Sequence, residues 1–182
     1  MSDEPELRRR YTTKQMGDAC EMIVAAELTL AGIPALKVPD NWPGCDVIAQ
    51  PVSKPPQRIS VKSRTFNAAF VLYMNYDVFD WLAIVILAND QSNNRDVYLI
   101  PRSLTDEIAR RDNSTAKNAE QRYWRVDEVE RVFGRFRNNF TLDPAGAERP
   151  IVLQPRSPDR GRLVQWRVFW MTMVNPNSRR RS

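Results

Sequence analysis

The stretch GCDVIAQPVSKPPQRISVKSR, residues 44–64, decides how the rest of the chain is read. It holds two β-prone runs, Asp46 to Ala49 and Arg58 to Ser63, joined by QPVSKPPQ, whose prolines forbid ladder pairing. The pair therefore reads as a hairpin, with Asp46 opening its first strand. In the second strand Ile59 and Val61 point to one face, while Arg58, Ser60, Lys62 and Arg64 point to the other.

Working outward, Thr13 to Ala31 is expected to be a helix with Thr12 or Thr13 as N-cap, stopped by Gly32 and Pro34. Its interior, EMIVAAELTLA, is apolar almost all round, which predicts packing on more than one side. Ala35 to Val38 precedes the hairpin as a short strand. After it come Phe70 to Asn75, then Trp81 to Leu87 (WLAIVIL), continuous enough to be a buried central strand, and Val97 to Ile100, ended by Pro101. Leu104 to Arg111 and Arg125 to Phe133 read as helices joined by a polar loop. Beyond Pro144 the alternation of Val164, Trp166, Val168, Trp170 and Val174, broken at Thr172, favours a half-buried strand, with helical spacing of Trp166, Trp170 and Met173 as the alternative.

The 182 residues, 42% of them hydrophobic, suffice for one substantial core. The expected division is a flexible basic leader (1–12), a core domain (13–143) and a C-terminal extension (144–182) with the Trp-rich strand and a basic tail. No apolar run reaches the ~20 residues that a membrane helix needs. Met1 to Arg10 has no apolar signal region, so the expectation is a cytoplasmic protein without a membrane partner. Cys20 and Cys45, in no metal-binding spacing, are expected as core residues.

The chain contains no histidine. That excludes Ser-His-Asp and Cys-His hydrolysis, His-ligated zinc and a histidine general base. Carboxylates holding a hard cation, with a lysine beside them, are the hydrolytic chemistry left. A net charge of +5, with 22 arginines among 27 basic residues, suits a polyanion, although base composition of the genome can produce the same bias.

The runs GDACEMIVAAEL, PGCDVIA and RISVKSR, in that order and spacing, resemble the signature of the PD-(D/E)XK nuclease superfamily. The likeness is to its Holliday-junction-resolvase-like and restriction-endonuclease-like members, and the later YDVFDWLAIVIL and RDVYLIP segments extend it over about half the chain. The resemblance implies an α/β fold with a restriction-endonuclease-like core, a central mixed β-sheet flanked by helices, here followed by a C-terminal β extension. It implies a metal-dependent DNA endonuclease that hydrolyses phosphodiester bonds, using Mg²⁺ or Mn²⁺ and no organic cofactor. Its catalytic set would be Glu21, Asp46, Ser60 and Lys62. Glu21, Asp46 and the Val61 carbonyl would hold the cation, and Lys14, Arg58 and Arg64 would contact DNA. A homodimer is compatible with cutting both strands of a duplex.

The departure from the pattern is Ser60, which stands where the family has Glu, Asp or Gln, and serine is a poor cation ligand. The alternative function is therefore an inactive protein of the same fold that binds nucleic acid or a protein partner.

Overall fold

A computed structural model describes residues 11–74, 76–88 and 94–146. The Trp-rich segment, the basic tail and residues 1–10 of the basic leader lie outside the described residues.

Helix α1 (Thr13–Leu30) begins in a reciprocal cap. The Thr12 hydroxyl accepts from the Gln15 amide at 3.2 Å, and the Gln15 side chain accepts from the Thr12 amide at 2.8 Å. The helix stops at Gly32, whose φ of +89° is left-handed, and the Ile33 amide returns to the Leu28 carbonyl at 2.9 Å. Only one stripe is buried: Met16, Cys20, Val24, Ala25 and Leu28. Met22 and Leu30 face solvent, 55% and 83% exposed, so packing on more than one side is not what the helix does.

Strands β1 (Ala35–Lys37), β2 (Val47–Ala49), β3 (Gln57–Thr65), β5 (Trp81–Leu87) and β6 (Arg95–Pro101) form one sheet in the order β1-β2-β3-β5-β6. All pairings are antiparallel except β3 with β5, which makes the sheet mixed. The hairpin expected at residues 46–63 is β2 and β3, with Val47 opposite Ile59.

The run WLAIVIL divides itself between two cores. Trp81, Ala83 and Val85 join Ile59, Val61 and the buried stripe of α1. Leu82, Ile84 and Ile86 pack on the other face with Tyr98, Ile100, Tyr73, Trp124, Phe133 and Phe136. A strand buried on both faces needs apolar residues at every position, which is why it lacks alternation. Phe133 and Phe136 come from α3 (Val129–Phe133) and the 3-10 turn after it, Gly134–Phe136.

Helices alone do not cover that second face. Strand β4 (Phe70–Met74) leaves the main sheet and pairs antiparallel with β7 (Gln121–Arg125), a strand inside what reads as a polar loop. The helix expected over Arg125 to Phe133 is accordingly shorter: Arg125 closes β7, a 3-10 turn covers Val126–Glu128, and α3 follows. Helix α2 (Arg102–Ile108) starts earlier than expected, directly after Pro101. The architecture is the α/β one that the resemblance implied, a mixed sheet with α1 on one face and the β4–β7 ribbon with short helices on the other. No helix among the described residues is long and apolar enough to cross a membrane.

Candidate active site

The turn PGCD places Asp46 beside β3. Gly44 adopts φ +77°, and a Cβ there would lie 2.8 Å from the Val78 carbonyl oxygen, so only glycine fits without a shift. The Asp46 amide then donates to the Ile59 carbonyl at 2.9 Å, and its carbonyl accepts from the Val38 amide at 3.0 Å. With its backbone tied to both neighbouring strands, the Asp46 carboxylate turns to the edge of β3. There Oδ2 accepts from the Val61 amide at 2.6 Å and the Ser60 hydroxyl at 3.3 Å.

In a strand, one residue's N–H and C=O point to the same side, and that side alternates along the chain. The Val61 carbonyl therefore opens on the Asp46 edge, two residues past Ile59, the last β3 residue paired with β2.

Asp46 and Glu21 line a single open cleft of about 290 Å³ together with Lys14, Gly17, Asp18, Val38, Pro39 and Asp40. Glu21 comes from the middle of α1, one turn after Asp18, and carboxylate oxygens of Asp18, Glu21 and Asp40 lie within 4.8 Å of one another. Lys37, from β1, reaches into this group. Its Nζ is 2.6 Å from Glu21, 3.1 Å from Asp40 and 3.3 Å from Asp18. Lys14 Nζ lies 3.2 Å from Asp18 and also pairs with Asp40.

Burial raises the pKa of Glu21, and the charges of Asp46 and Asp18 act in the same sense against the hydrogen bond from Lys37. Hydrogen bonds from Lys14 and Lys37 hold Asp40 below its ordinary value. Those from Glu21, Asp40 and Asp18 hold Lys37 above its own. The four carboxylates and two ammonium groups carry a formal balance of −2. Oxygen donors from several acids, clustered with an excess of negative charge, fit a hard divalent cation such as Mg²⁺ or Mn²⁺.

The other expected residues lie around this cleft in different ways. Ser60 is buried, 4% exposed, and spends its hydroxyl on Asp46. Lys62 is half-buried on the same strand face as Ser60, opposite Ile84 of β5, and is not among the residues lining the cleft. Arg58 forms a two-point pair with Asp80, at 3.2 and 3.0 Å. Arg64 donates to the Phe70 and Ser63 carbonyls, both at 2.7 Å. Glu27 pairs with Arg95 at 3.1 Å, away from Glu21. Both cysteines are free and buried, and burial pushes the Cys20 thiol up to about 11, so it stays protonated.

Sequence reasoning passed over Asp18, Lys37 and Asp40. Asp18 was within reach of it, three residues before Glu21 on the same helical face.

No family model matches the sequence, and no curated protein matches it. Among solved structures, the chain is similar to a bacterial homing endonuclease, I-Ssp6803I, with 17% identity over 74% of this chain and 92% of that one, at a TM-score of 0.45. It is similar also to Hjc, a Holliday junction resolvase from the archaeal hyperthermophile Archaeoglobus fulgidus, with 11% identity over 62% of this chain and 90% of that one, at a TM-score of 0.37.

Proposed function

We propose that this chain is a PD-(D/E)XK-type, divalent-metal-dependent DNA endonuclease. The observation that carries the reading is the meeting of Glu21 and Asp46, far apart in sequence, in one acidic cleft, with Asp46 held on the Val61 amide, whose carbonyl by strand alternation opens to the same edge. Glu21, Asp46 and that carbonyl would hold Mg²⁺ or Mn²⁺, with Asp18 and Asp40 near enough to supply the acid that position 60 lacks. When bound, such an ion polarises the scissile phosphate and lowers the pKa of a water.

The chain's own residues do the rest. The amide of Val61 fixes one Asp46 oxygen and leaves Oδ1 available. Ser60 holds the same oxygen and adds no charge. Lys62, half-buried two residues beyond Ser60 on the same strand, would offset negative charge developing on the phosphate. DNA is the partner in this reading, and a homodimer suits a double-strand cut.

The burial of Ser60, and a Lys62 that does not line the cleft, favour a second reading: a retired member that binds DNA without cutting it. An assay on linear, branched and single-stranded DNA with Mg²⁺, Mn²⁺ or EDTA, run beside Asp46→Ala, separates the two. The nuclease reading expects cleavage that needs both the metal and Asp46. Binding without cleavage under either metal would establish the second reading.

A further inference from the structure

We propose that Lys14 and Lys37 are DNA-phosphate ligands held on the site's own carboxylates until a divalent cation takes their place, so that metal occupancy gates DNA affinity. The inference rests on the nuclease reading and concerns how that same site meets its substrate.

An ammonium group has three N–H donors. Lys37 lies within 3.3 Å of three different carboxylates, those of Glu21, Asp40 and Asp18, so each donor has an acidic acceptor already. Lys14 bridges Asp18 and Asp40. Arg58 of β3 is engaged with Asp80. A phosphodiester approaching this surface meets a cleft with a formal balance of −2, whose own lysines are committed to intramolecular partners.

The two ammonium groups together carry +2, the charge of one divalent cation. Carboxylates that turn to such a cation no longer neutralise Lys14 and Lys37, and both ammonium groups then need new acceptors. Their positions suit an external one. The Lys14 side chain is 67% exposed on the first turn of α1, and that of Lys37 is 23% exposed at the cleft. Phosphate oxygens are strong acceptors for ammonium donors, and each lysine–phosphate contact on duplex DNA releases counterions and adds about 0.9 to the slope of log affinity against log salt.

The test measures binding of the full chain to a fluorescent duplex by anisotropy across a salt series, in EDTA and in Ca²⁺, with duplex integrity checked afterwards. Wild type should bind at least about tenfold tighter in Ca²⁺, with a salt slope steeper by about two. The double variant Lys14→Gln, Lys37→Gln should lose the added slope, so that its salt dependence in Ca²⁺ is no steeper than in EDTA. If that variant does not fold by circular dichroism, Lys14→Gln alone should lose about one slope unit. Tighter binding in Ca²⁺ with an unchanged slope, or steepening that survives the substitutions, overturns the gating and leaves the nuclease reading standing. Failure to bind DNA in both states overturns the nuclease reading itself.

Discussion

The Val61 amide nitrogen lies 2.6 Å from Oδ2 of Asp46, so the acid that would hold a metal is also the acceptor that closes the free edge of β3. Asp46→Ala should therefore do two things at once. It should abolish metal binding and cleavage, and it should destabilise the fold by about 1–3 kcal/mol, since a hydrogen bond to a charged group is lost. Asp46→Asn keeps an acceptor and should recover most of that stability while remaining inactive. Urea unfolding beside Mn²⁺ titration distinguishes the two effects; equal stability losses in both variants would contradict the pairing.

Ser60→Glu tests whether the site is complete without an acid on β3. Position 60 is 4% exposed and its hydroxyl touches Asp46, so a glutamate brings bulk and like charge into a filled space. A loss of at least about 2 kcal/mol with no gain in cleavage is expected. A stable Ser60→Glu protein that cuts DNA, set against a wild type that does not, would make the retired-enzyme reading the right one.

Gly44→Ala strains the turn that delivers Asp46. The residue has φ +77°, and the new Cβ would meet the Val78 backbone oxygen at 2.8 Å. Destabilisation of about 1–3 kcal/mol is expected, with activity falling further than stability alone accounts for. Thermal melts and cleavage rates measured together check it.

Acid stability should report Asp80. Burial raises its pKa, but hydrogen bonds from the Arg58 guanidinium and amide, with the charges of Arg58 and Arg102, outweigh burial and hold it below 3.8. A lowered folded value contributes stability above 3.8 that is lost as pH falls through the folded value. Asp80→Asn should flatten that part of the acid limb in urea unfolding. Glu21 has the opposite sign: its contribution is present below 4.5 and is lost as pH rises through the raised folded value. Since only the ionised form ligates, metal affinity should weaken on acidification from above 4.5, and Glu21→Gln should remove that part of the dependence.

Much of this was legible because the strongest patterns lie where the site is. Helix α1 carries its own cap and stop, β5 is apolar at every position, and the Asp46 and Lys62 strands are set by prolines and glycine. The β7 strand was not legible. QRYWR is short and carries two arginines, and what makes it a strand is β4, with Tyr73 opposite Arg122 and Phe70 opposite Arg125. Within the site, the Glu21 and Asp46 positions followed from order and spacing. Lys37 and Asp40 did not, because an ion pair between β1 and the middle of α1 exists only once the helix lies across the sheet. The exposed residues on α1 were masked by the richness of its apolar ones, which outnumber what one stripe can bury.

The departure of β4 from the main sheet carries a cost in time. A chain growing from its N-terminus can assemble α1, the hairpin and β5 early, because their partners are already made. The second face of β5, with Leu82, Ile84 and Ile86, waits for Trp124 and Phe133, which follow much later in the chain. Until β7 emerges to pair with β4, that apolar surface and the edge of β4 stand open to other chains. The half of the molecule without candidate chemistry thus sets when the protein becomes safe from aggregation.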